Sequence, residues 1–93
     1  MSDMDPKRFS EIKEKLKSLL VSELSLEDIQ PEDIKDDEVL FGDGLGLDSL
    51  DAVEIVVLLQ RHFGVEVQDM EKGREIFYSV ETIAKHIYEN TSP

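Results

Sequence analysis

Cysteine is absent from the 93 residues, which removes disulfide frameworks and thiolate metal sites together. Any thiol chemistry would have to arrive on a prosthetic group. Cationic side chains are also scarce: 10 lysines and arginines stand against 22 acids, for a formal net charge of −12. A surface of that sign repels nucleic-acid phosphates and anionic lipid headgroups, so neither is an expected partner. Long apolar runs are missing as well. The longest uncharged one, Ile55 to Leu59, falls far short of the roughly 20 residues that a membrane-spanning helix needs. The opening residues, Met1 to Pro6, lack the basic-then-apolar order of a signal peptide, and a cytoplasmic protein is expected.

What the chain does have is 40% hydrophobic residues, enough for one core in one small domain spanning residues 1–93. Its acidity is local. Residues 25–48 hold nine acids (Glu27, Asp28, Glu32, Asp33, Asp36, Asp37, Glu38, Asp43, Asp48) against Lys35 alone, whereas residues 6–24 hold five bases and three acids. Such a distribution suits a partner with a basic patch, although negative charge also serves solubility alone.

The spacing predicts an all-α chain. Asp5-Pro6 supplies a helix cap and a proline for the first helical position, and Phe9, Ile12, Leu16, Leu19, Leu20 and Leu24 recur at three- and four-residue steps. Pro31, Gly42, Gly44 and Gly46 then break the pattern from Ser25 to Leu47. That long connection is expected to be pinned by Leu26, Ile29, Ile34, Val39, Leu40 and Phe41 pointing inward. A second helix starts at Asp48-Ser49 and stops at Gly64, with so many apolar residues that burial on most sides is expected. Residues 65–67 read as extended and residues 69–77 as a short, irregular helix interrupted by Gly73. Ser79 caps a last helix carrying Val80, Ile83, Ala84 and Ile87, with Tyr78 placed to staple Ile83.

Residues for conventional catalysis are few. His62 and His86 fall near the ends of different helices with no evident partner, and both are expected at the surface, His62 favoured by the negative end of its helix. Counted from Asp43, the third and fifth positions are Leu45 and Leu47, where a calcium loop would need oxygen ligands. No catalytic residue and no metal site is expected.

The segment that stands out is Phe41-Gly42-Asp43-Gly44-Leu45-Gly46-Leu47-Asp48-Ser49-Leu50-Asp51. It places a serine at the first turn of a helix behind a low-bulk loop. Asp48 alone would suffice as a cap, which leaves Ser49 free for another role. A phosphate on Ser49 would meet unpaired backbone N–H groups at the positive helix end.

With Phe63 closing the helix and Val80, Ile83, Ala84 and Ile87 after it, this segment resembles the attachment region of acyl carrier proteins, and the likeness covers nearly the whole chain. The resemblance implies a four-helix bundle of three main helices and one short one, with a long loop between the first two. It implies a 4′-phosphopantetheine esterified to Ser49 between Asp48 and Leu50, placed there from coenzyme A by a phosphopantetheinyl transferase. The arm's thiol would carry acyl groups as thioesters to fatty acid, lipid or polyketide-type biosynthetic enzymes. Asp48, Asp51 and Glu54 match the acids that meet basic docking patches on those enzymes. Phe41, Val53, Val57, Leu58, Leu59 and Ile76 would form the core and, in a bundle able to open, an acyl pocket. The protein would be a monomeric carrier rather than an enzyme.

The chain departs from the pattern at Gln60-Arg61-His62, where fatty-acid-synthesis carriers are often acidic, and at Gly44, where an acid is common. The Gly44-Leu45-Gly46-Leu47-Asp48-Ser49 form resembles that of specialised carriers. A carrier of aminoacyl or polyketide units, and an acidic helical adaptor without a prosthetic group, remain alternatives.

Overall fold

The structure, a computed structural model, describes residues 5–26, 28–42, 44–67, 73 and 75–91. Among these, three α-helices carry the fold: α1 (Pro6–Glu23), α2 (Ser49–Phe63) and α3 (Val80–Asn90), with one 3-10 turn at Pro31–Asp33. The all-helical reading holds for these residues, and no strand accompanies the helices beyond an isolated bridge between Phe41 and Leu47. Most of the helix expected over residues 69–77 lies outside the described residues. Its described part, Gly73, Glu75 and Ile76, has helical backbone, and the Phe77 N–H closes the turn on the Gly73 carbonyl at 2.8 Å.

Helix α1 begins as its sequence dictates: the Asp5 carboxylate accepts from the Lys7 amide at 3.0 Å, and Pro6 needs no partner for a missing N–H. At the other end Ser25 takes a left-handed conformation (φ 53°), so the Leu26 N–H can reach back to the Val21 carbonyl at 3.0 Å. Leu16 and Leu20 are fully buried, and α1 packs against both other helices, more extensively against α3. A terminal clamp reinforces that pairing. Arg8 lies 4.3 Å from the centre of the Tyr88 ring and donates to the Thr91 carbonyl at 2.9 Å, while Tyr88 hydroxyl accepts from the Asp5 amide.

The connection before α2 is fastened at several points. Ile34, Leu40 and Leu47 are buried; Leu26, Ile29 and Phe41 pack half-buried against the core. Asp36 is bound by Lys13 and Lys17 of α1, and its carbonyl accepts from the Glu81 amide in the first turn of α3 at 2.8 Å. The two lysines hold the Asp36 carboxyl below its ordinary value. Val39, expected inward, faces out instead. Leu40, its neighbour, is fully buried and takes the inward position.

A larger correction concerns α2. Ile55, Leu58 and Leu59 are its buried residues, with Ala52 and Val56 half-buried beside them. Leu50, Val53 and Val57 are 75%, 56% and 44% exposed. At about 100° per residue, those three fall on the side of the helix opposite Ile55, Leu58 and Leu59. The helix is therefore buried on one side only, and Val53 and Val57 do not belong to the core.

Two smaller expectations also change. Tyr78 is exposed and takes no part in the core that encloses Ile83; Phe77 occupies the inward position beside it. Neither histidine is a bare surface residue: both are half-buried. His62 Nε2 lies 3.0 Å from Glu23 Oε1, tying the end of α2 to the end of α1, and His86 Nδ1 sits 3.3 Å from Asn90 Nδ2. No described helix is long and apolar enough to cross a membrane.

Candidate functional site

The site grows from how α2 starts. Leu47 is buried and anchors the chain in the core; two residues later Ser49, the first residue of α2, is exposed. The Asp48 carboxylate between them accepts from the amides of Leu50 at 3.0 Å and Asp51 at 3.2 Å. Asp51 answers by accepting from the Asp48 amide at 3.0 Å. This reciprocal cap fixes the first turn, and the shorter Asp51 side chain proves long enough. It also corrects the expectation of free helix-end amides. Those of Leu50 and Asp51 are already satisfied, so a phosphate on Ser49 would share the helix dipole but not these two donors.

The loop in front is closed on itself by backbone bonds. The Leu45 amide donates to the Val39 carbonyl at 3.0 Å, the Leu47 amide to Leu40 at 3.1 Å, and the Gly42 amide to Leu47 at 3.4 Å. Gly42 and Gly46 take positive φ (67° and 81°), and a side chain at Gly42 would meet nothing within 4 Å. Leu40 is fastened in turn to the segment before α3, its amide donating to the Tyr78 carbonyl at 3.0 Å. An exposed primary hydroxyl thus stands on a fixed helix end beside a loop with little side-chain bulk. That arrangement fits a covalently attached phosphodiester arm, which needs access and a rigid base rather than an enclosing pocket.

The remaining expected residues fall into two groups. Asp48 and Glu54 are exposed and Asp51, engaged in the cap, is half-buried; all three belong to the Ser49 end of α2. Phe41, Leu58, Leu59 and Ile76 join the core cluster, whereas Val53 and Val57 lie on the outer side of α2. The six residues expected to form one pocket therefore do not face one side. Sequence spacing missed the outer apolar stripe of Leu50, Val53 and Val57, because steps of three and four mark a helix face without saying which face is covered. Among the described residues, no three His, Cys, Asp or Glu side chains converge where a metal ion could be held.

Residues 14–71, from within α1 to beyond α2, match the family described as "Phosphopantetheine attachment site". The class is thus a phosphopantetheine-bearing domain. The chain is 42% identical over 62 residues to a protein of Thermosynechococcus vestitus named "Acyl carrier protein", covering 67% of this chain and 72% of that one. It is 35% identical over 77 residues to another of that name from Campylobacter hominis, covering 83% and 90%. The chain belongs to the acyl carrier protein family. Members of that family are carriers rather than enzymes and hold a covalently attached 4′-phosphopantetheine.

Proposed function

We propose that Ser49 is the attachment residue and that the chain carries acyl groups as thioesters on its arm. The observation that carries this reading is the exposed Ser49 hydroxyl at the first residue of α2, directly behind the closed glycine-bearing loop and inside the matched segment. The arm supplies the thiol that a cysteine-free chain lacks; the protein supplies a rigid base and a surface that partners recognise. Tethering raises the effective concentration of the acyl group at each active site it visits.

The docking surface in this reading is the Ser49 end of α2 and its exposed side. Asp48, Asp51 and Glu54 attract basic patches on the transferase and acyl-processing enzymes, and the Leu50, Val53 and Val57 stripe gives them an apolar contact. An acyl chain enters on the opposite side, among Phe41, Leu58, Leu59 and Ile76, where each buried methylene contributes about 0.8 kcal/mol. A fourth, short helix at Gly73, Glu75 and Ile76 completes the bundle in this reading and moves to admit it. The protein works as a single monomeric domain in the cytoplasm. Arg61 and Gly44, where other carriers are often acidic, favour a specialised pathway over bulk fatty acid synthesis.

Incubation with coenzyme A and a broad-specificity phosphopantetheinyl transferase tests the core of this reading. Intact mass is expected to rise by one phosphopantetheine for the wild-type chain and to stay unchanged for Ser49→Ala. A Ser49→Ala chain that is still labelled overturns it.

A further inference from the structure

Helix α2 has two basic side chains, Arg61 and His62, both in its last turn. His62 is turned toward α1, where its Nε2 lies 3.0 Å from Glu23 Oε1. Arg61 is exposed, and among the described residues it forms no ion pair. At about 100° per residue, Leu50, Glu54, Val57 and Arg61 fall within about 60° of one another around the helix. All four are exposed. The apolar stripe that begins beside Ser49 therefore ends on a guanidinium. Its other end is acidic, with Asp48 and Glu54 exposed there.

Distance keeps the two ends electrically separate. With a rise of about 1.5 Å per residue, Arg61 stands about 16 Å along the axis from Leu50 and about 10 Å from Glu54. The Debye length at physiological ionic strength is about 8 Å, so the acids at the Ser49 end offset its field only weakly. In a chain of net charge −12, the far end of this stripe is locally cationic. Arg61 also complements the negative end of α2, but any base in the last turn fills that role. Alignment with the apolar stripe is not needed for it.

We propose that α2 docks an enzyme surface of two signs: bases opposite the Ser49 end, an apolar centre opposite Val53 and Val57, and a carboxylate opposite Arg61. The proposal rests on the docking reading above and narrows the partner it describes. Exposed ion pairs add little affinity, so Arg61 acts chiefly in the choice of partner. Opposite charges at the two ends also fix direction. A surface of that pattern receives Ser49 at its basic end and rejects the reversed helix, in which like charges meet. A wholly basic patch meets Arg61 with its own sign. A second copy of this chain could set each Arg61 against the other's Glu54 in an antiparallel pair, but the net charge of −12 on each opposes that pairing.

Titration of the phosphopantetheine-loaded chain into purified acyltransferases and condensing enzymes of the source organism tests this, with the loading transferase as a basic-patch reference. Wild type, Arg61→Ala, Arg61→Glu, Arg61→Lys and Glu54→Lys are compared at low and physiological salt, after melting curves show each to be folded. At least one enzyme is expected to bind Arg61→Ala about twofold to fivefold more weakly than wild type, and Arg61→Glu more weakly still. Arg61→Lys is expected to bind that enzyme as wild type does, and the losses are expected to shrink as salt rises. The reference transferase is expected to bind Arg61→Glu at least as tightly as wild type. If every enzyme binds Arg61→Glu as well as wild type or better, while Glu54→Lys binds more weakly, the two-signed surface is overturned and the docking reading stands. If no enzyme binds wild type, or all bind Glu54→Lys equally well, the docking reading falls and this inference with it. A wild-type chain that sediments as a dimer, split by Arg61→Glu, puts a second copy on the stripe and also overturns the proposal.

Discussion

Lys17 Nζ and Asp36 Oδ1 meet at 2.7 Å, binding the middle of α1 to the connection before α2, and Lys13, one helical turn earlier, takes the other Asp36 oxygen at 2.8 Å. The pair of ammonium groups lowers the Asp36 pKa in the folded chain. A carboxylate whose folded pKa lies below its unfolded value adds stability above the unfolded value and loses it as pH falls through the folded one. Asp36→Asn should therefore lower stability at neutral pH, with the difference from wild type vanishing in acid. Because the Asp36 side chain is 38% exposed, solvent screening limits the loss to about 1 kcal/mol. Urea unfolding at neutral pH and below the carboxylate range measures both.

Ser25 is the one described residue other than glycine with positive φ. A left-handed residue with a Cβ carries a steric cost of roughly 1–2 kcal/mol, partly offset in a glycine variant by greater freedom of the unfolded chain. Ser25→Gly should raise stability by up to about 1 kcal/mol, and Ser25→Val should lower it. Denaturant midpoints at constant slope give the comparison.

The two sides of α2 should respond differently to truncation. Leu59→Ala removes a fully buried side chain and should cost about 2–5 kcal/mol. Val57→Ala, on the outer side, should change stability by no more than about 0.5 kcal/mol. If Val57 docks partners, that substitution should still weaken loading by the transferase, which thermal unfolding alone would not reveal.

Charge changes on the exposed side should separate partners. Glu54 lies near Ser49 and takes no part in the cap, so Glu54→Lys should leave the fold intact, weaken transferase binding at low salt and flatten its salt dependence. Arg61→Glu is expected to improve turnover with housekeeping fatty-acid-synthesis enzymes if repulsion keeps the wild-type chain away from them. It should also lower stability slightly, by about 0.3–1 kcal/mol, through the negative helix end. Transfer assays and melting curves on the same samples distinguish these effects.

Much of this was readable from residue order because local chemistry decided it. Asp5-Pro6, Asp48-Ser49, Gly64 and Ser79 mark helix limits that the structure places within a residue or so, since caps depend on neighbours only. The reciprocal cap in front of Ser49 was readable for the same reason: Asp48 and Asp51 act within one short stretch. What stayed hidden depends on distant residues. The outer position of Val53 and Val57 follows from where α1 and α3 lie. The Glu23–His62 contact joins side chains 39 residues apart, and the grip of Lys13 on Asp36 spans 23.

The clamp of Arg8 on Tyr88 and Thr91 brings residues 83 apart in the chain into contact. Both ends of the described fold therefore emerge side by side, far along the sequence from Ser49. A fold closed in this way can be spliced into a loop of a larger polypeptide, or joined tail to head by a short linker, without pulling its helices apart. The Ser49 end would remain free to swing while the paired ends serve as a single hinge point.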